Sequence, residues 1–201
     1  MSAVARPRLQ AAERRAALVD TALRVFGEGS YRGTTTAEIA RAAGVSEPVL
    51  YQHFASKRDL YLACIEEAWN RLRAIWDEAL ADEAHLPQAM PEMARVVMCG
   101  KEAKLLVTEL WMQAVVEAGD DAEVRNFLRG HMRQVHEYIA DVIRSGQQSG
   151  SVNRERDPAA EAWIFISAAL LGTIGRRLGL LSDQDFERIR DARRAWMTGT
   201  K

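Results

Sequence analysis

The chain is short of cysteine, of net charge and of any β pattern, and each shortage removes a class of protein. Its two cysteines, Cys64 and Cys99, lie 35 residues apart in apolar helical stretches, with no Cys-x-x-Cys or Cys/His cluster beside them. That excludes a disulfide framework and a zinc module, and reads as two reduced, buried thiols in a cytoplasmic protein. A formal net charge of −1 means that no global basic excess announces a nucleic-acid partner. Five prolines and 13 glycines in 201 residues exclude a fibrous or low-complexity chain.

The apolar runs are short as well. The longest, Ala162–Gly175, ends at Arg176-Arg177, below the ~20 residues of a spanning helix. It reads as a helix buried against protein, with no membrane partner. Gly-x-Ser-x-Gly, P-loop and dinucleotide fingerprints are missing, and no acid pair is placed for catalysis, so no enzyme and no cofactor are expected. His131 and His136 are five apart and do not share a helix face, and His85 falls in a proline-containing loop, so no metal site is expected either.

What the chain does have is helical periodicity almost throughout, which predicts an all-α fold of about nine helices. Residues 1–8 form a loose arm. Ala11, Leu18, Val19, Ala22, Leu23 and Phe26 stripe a first helix that Gly27 and Gly29 should end. Thr35 with Glu38 is a capping box for a short second helix carrying Ile39, Ala40 and Ala43. Gly44 permits a positive φ and a sharp turn. Ser46 should cap a third helix with Pro48 in its first turn and Leu50 and Phe54 on its inner face. Ser56 opens a long fourth helix with Cys64, Trp69, Leu72 and Trp76 inside. Beyond a proline-containing break at Ala81–Met93, helices are expected near 90–99, 102–118, 121–148, 157–180 and 183–197.

Charge is unevenly spread. Residues 1–60 carry nine Lys or Arg against six Asp or Glu, a net of +3, and the remainder nets −4. Two short helices joined by a tight glycine turn form a helix-turn-helix, whose second helix can enter a major groove. Base edges would meet Ser46, Glu47, Pro48 and Val49 at its start. Phosphates would meet Thr34, Thr35 and Thr36 before the second helix, and Tyr51, His53 and Lys57 after the recognition face.

The stretch "TTTAEIARAAGVSEPVLYQHFASKRDLY" resembles the DNA-binding domain of the TetR family of bacterial regulators. The shared pattern is Thr-Thr-x-x-Ile-Ala-x-x-Ala-Gly-Val-Ser, then Leu-Tyr-x-His-Phe, then a lysine near Lys57. The resemblance implies a ligand-responsive transcriptional regulator, most simply a repressor that binds a palindromic operator in double-stranded DNA as a homodimer. It implies a DNA-binding domain over 1–55 and a helical ligand-binding and dimerisation domain over 56–201, with the dimer formed by helices near 121–148 and 157–198. Small residues (Ala168, Ala169, Gly172, Gly175) among large ones suit close helix approach there.

The chain departs from the family pattern at the recognition helix. Glu47 stands where many relatives carry a basic or amide side chain; it either accepts from cytosine N4 or repels phosphate and points away. Val49 offers only apolar contact to a thymine methyl, and Ala37 is short. For a mostly apolar small-molecule effector, the candidate lining is Trp69, Trp76, Glu109, Trp111, Met112, Gln113 and Tyr138, with Glu137 a further polar candidate. The competing reading is a helical small-molecule carrier or interaction protein that does not use its helix-turn-helix.

Overall fold

The computed structural model describes residues 11–81 and 106–199. Among them are eight helices and no strand: α1 (Ala11–Glu28), α2 (Thr36–Ala42), α3 (Glu47–Tyr51), α4 (Lys57–Leu80), α5 (Leu106–Glu117), α6 (Ala122–Ser149), α7 (Pro158–Arg177) and α8 (Asp183–Thr198). The arm at 1–8, the break at 81–93 beyond Ala81, Cys99 and the helix expected near 90–99 lie outside the described residues.

The chain divides into two compact units after Glu67, within α4. In the first, α1 buries Leu18, Val19, Ala22, Leu23 and Phe26 in a core with Ile39, Leu50, Phe54, Leu60, Tyr61 and Ile65. Gly27 does not end α1 but lies inside it; Glu28 is its last residue. The Thr35–Glu38 capping box forms in both directions, with Glu38 N–H donating to Thr35 Oγ1 at 3.2 Å and Thr35 N–H to Glu38 Oε2 at 2.8 Å. Those bonds hold the Glu38 carboxyl below its ordinary pKa. Gly44 takes φ +69° in the turn between α2 and α3, where a Cβ would be strained.

The third helix is shorter than its sequence pattern. It ends at Tyr51, and His53 and Phe54 continue as a turn in which both amides donate to Leu50 O. Ser46 is the N-cap residue by backbone conformation, but its hydroxyl makes no cap bond. The cap at Ser56 does form, its Oγ accepting from Asp59 N–H at 3.1 Å. Starting α4 so soon leaves no room for a second turn of α3.

In the second unit α6 lies along α7, and α5 packs on both. The starts of α6, α7 and α8 are capped, by Asp121, by Asp157 and by a Ser182–Asp185 box. Thr108 and Thr173 share a buried hydrogen bond of 2.7 Å between α5 and α7. The glycines of α7 admit side chains, not another helix backbone. A Cβ on Gly175 would come within 2.6 Å of Leu181, and one on Gly172 would meet Phe186 of α8. α7 is 20 residues long, with a mean hydropathy of 1.4 over its most apolar window, so its length and composition alone would span a membrane. That exceeds the 14-residue run visible in the sequence because the helix continues through its ends. Its inner face, Ile166, Ala169, Gly172 and Thr173, is buried in this chain.

Candidate DNA-binding surface and aromatic centre

The helix-turn-helix side chains divide into those facing outward and those tied to one another. Ser46, Pro48 and Tyr51 are exposed, and Val49 and His53 half-buried. Glu47, at the first position of α3, accepts from the Thr36 hydroxyl of α2, and the same hydroxyl lies 3.1 Å from the Tyr51 hydroxyl. Thr36 is 8% exposed. The pattern is a three-residue bridge, Glu47–Thr36–Tyr51, across the angle between α2 and α3. The separations of 11 and 15 residues gave no local signal for it.

Lys57 also turns inward. Its ammonium donates to Tyr31 O at 2.8 Å and Thr34 O at 3.0 Å and lies 4.5 Å from the centre of the Tyr31 ring. Thr34 is buried, while Thr35 is exposed with its hydroxyl in the capping box. Lys57 thereby ties the α1–α2 loop to the first turn of α4 through two loop carbonyls.

In the second unit, rings gather around Trp69. Its neighbours are Trp76 (5.7 Å between centroids), Tyr138 (5.5 Å) and His131 (6.4 Å), all edge to face. Trp111 Nε1 donates to His131 Nδ1 at 3.2 Å, and Phe127 stacks on the same imidazole. Phe165 of α7 meets Trp76 edge-on. Such edge-to-face packing is what aromatic quadrupoles favour. Tyr138 donates to Asp77 at 2.7 Å, and burial together with that carboxylate pushes the phenol pKa far up.

The structure thus brings together four of the seven residues expected to line an effector site: Trp69, Trp76, Trp111 and Tyr138. Glu109 instead pairs with Arg177 at 3.5 Å. Met112 and Gln113 are half-buried on α5, and Glu137 is exposed. Sequence reasoning weighed His131 only as a metal ligand and missed it as the link between Trp69 and Trp111. A usable signal was present: Trp69 and Trp76 are seven apart, and so are His131 and Tyr138. Two helices each presenting two rings on one face are matched to meet.

Comparison with known proteins places this architecture. The model for bacterial regulatory proteins of the tetR family matches residues 18–64. The HTH-type transcriptional regulator BetI of Rhizobium meliloti is 30% identical over 147 residues, 73% of this chain and 72% of that one. The chain belongs to the TetR family. It is a DNA-binding, ligand-responsive transcriptional regulator and not an enzyme. The transcriptional activator FasR of Mycolicibacterium smegmatis is 51% identical over 59 residues, 29% of this chain and 27% of FasR. Among solved structures, a TetR-family regulator from Rhodococcus superposes with a TM-score of 0.80 at 21% identity, over 92% of this chain and 99% of that one. A regulator from Saccharomonospora viridis, in complex with choline, gives 0.71 at 21% identity over 90% and 93% of the two chains. At such identities the TetR fold is what is shared.

Proposed function

We infer that this regulator is a repressor that binds a palindromic operator as a homodimer and is released by a small, mostly apolar effector. The observation that carries the reading is the outward face of α3, with Ser46, Pro48, Val49, Tyr51 and His53 presented beside a bridged α2–α3 angle. Ser46 and Val49 meet bases, and Tyr51 and His53 meet phosphates. Thr34, Thr35, Thr36, Glu47 and Lys57 hold that surface in shape, since their polar groups or burial are committed within the unit. Functionally, the DNA-binding part is residues 1–55 and the remainder binds ligand and dimerises, in the cytoplasm.

Support for the homodimer comes from α7. Trp163, Ile164, Leu171, Ile174 and Leu178 are large, apolar and 38–67% exposed. At 100° per residue they fall within an arc of about 100°. An apolar row of this kind along one helix face calls for a second copy, whose own α7 and α6 supply the matching face. Two recognition helices would then sit about 34–36 Å apart, one turn of duplex.

The effector occupies the neighbourhood of Trp69, Trp76, Trp111 and Tyr138. It acts by favouring a state whose recognition helices no longer match successive grooves, which requires different affinities for the two states. α4 runs from Lys57 through Trp69 and Trp76 as one helix, and is the element along which the change would travel. The 59-residue match to FasR, an activator, favours activation as the second reading.

Selecting ligands for the full chain from random duplex DNA tests this function. A palindromic motif with half-sites one turn apart is the expected result. No enrichment would favour the carrier or interaction protein, and a motif bound more tightly with effector than without it would favour the activator.

A further inference from the structure

Three ring nitrogens in the second unit carry hydrogens that no group among the described residues accepts. Trp69 Nε1, Trp76 Nε1 and His131 Nε2 are buried without a hydrogen-bond partner among those residues, on side chains only 2%, 2% and 5% exposed. The imidazole hydrogen is located by its neighbour. Trp111 donates to Nδ1, so Nδ1 carries the lone pair and the neutral ring keeps its hydrogen on Nε2. Burial lowers the His131 pKa to about 4, which keeps the ring neutral near pH 7. The three donors sit on rings in direct contact, since Trp69 touches both Trp76 and His131.

Buried donors are nearly always satisfied, and each orphan needs a reason. A core that required only bulk would be filled as well by phenylalanine, which has no N–H to satisfy. We propose that the effector presents a neutral hydrogen-bond acceptor, a carbonyl or ester oxygen on an apolar frame, to the N–H groups of Trp69, Trp76 and His131. The inference rests on the effector reading of this unit and names the chemistry of its ligand. All three donors are uncharged, so a neutral acceptor pairs with them without adding net charge. A carboxylate would bring a charge that these groups do not neutralise. A quaternary ammonium has no acceptor and would meet the positive ends of the N–H dipoles. The carboxylate at the edge of the cluster, Asp77, is exposed and already engaged by Tyr138 and by Arg73 at 3.3 Å.

The test uses the full chain and four probes on one phenyl frame: butyrophenone, butylbenzene, 4-phenylbutyrate and 3-phenylpropyltrimethylammonium, titrated by calorimetry. Butyrophenone should bind at least about fivefold more tightly than butylbenzene, the gain expected of a satisfied neutral hydrogen bond, and more tightly than either ion. Trp69→Phe and Trp76→Phe keep a ring and remove the N–H, so each should pull the ketone-to-hydrocarbon ratio toward one. A variant that merely loosens packing weakens both probes and leaves the ratio alone. Should one variant not fold, the other and His131→Phe read the same ratio. Equal affinity for ketone and hydrocarbon, tighter binding of the carboxylate or the ammonium, an unchanged ratio in the folded variants, or no binding by any probe at about 1 mM overturns the proposal. Operator selection by the same protein is independent of these probes. Its success alongside their failure leaves the regulator standing and removes only the acceptor.

Discussion

Lys57 shows how one side chain can be legible in type and not in task. A lysine at the start of α4, next to a recognition helix, reads as a phosphate contact. In the folded unit its ammonium serves Tyr31 O, Thr34 O and the Tyr31 ring. Lys57→Ala should therefore lower the stability of the protein by about 1.5–3 kcal/mol, the range for hydrogen bonds to a charged group, in urea unfolding. The dependence of operator affinity on salt should stay as it is. A fall in that slope of about 0.9 would return Lys57 to the phosphates. Glu47 poses the same question at the base-reading end. Its Oε1 is engaged by Thr36, which holds the carboxylate toward α2. Selection with Glu47→Ala should recover the wild-type operator motif, and a preference altered at a single base pair would show that Glu47 does read a base.

At the scale of the element, α7 has two apolar faces with different uses. Its inner face packs within the chain through Ile166, Ala169, Gly172 and Thr173. Its outer face carries the exposed row from Trp163 to Leu178. Leu171, 52% exposed and near the middle of that row, is the position to perturb. Leu171→Glu should leave the far-ultraviolet circular dichroism unchanged while sedimentation shows the dimer converted to monomer, with operator affinity lost alongside. A dimer as tight as wild type would move the interface elsewhere. Gly44 belongs to this scale as well, because φ +69° is set by the tight α2–α3 turn and not by any neighbouring side chain, none lying within 4 Å of a built Cβ.

At the scale of the whole molecule, His131 makes stability depend on pH. Its pKa is lowered by burial from 6.5 to about 4, so below pH 6.5 the unfolded chain takes up a proton that the folded one refuses. Its contribution is fully present above 6.5 and is lost as pH falls toward 4, by up to about 3 kcal/mol. Urea unfolding between pH 7 and 4.5 should show a decline that is flatter in His131→Gln. Parallel pH profiles for the two proteins would mean that the imidazole is protonated in the native state.

The sequence by itself determined what depends on neighbours along the chain. Helical spacing, the Thr35–Glu38 and Ser56 caps and the glycine turn are decided within a few residues, and they carried the all-α class, the helix-turn-helix and the family. The span of α3 was less legible, since the early start of α4 cuts it short and places His53 and Phe54 in a turn. Only the tertiary structure decided which polar groups face outward and which are engaged, because those contacts join residues far apart in sequence. Thr36 meets Glu47 and Tyr51 across two helices, Lys57 meets a loop 23–26 residues upstream, and Trp111 fixes the hydrogen of His131 20 residues away. A hydrogen bond is set by distance and angle, and neither is written in spacing alone until the helices have packed.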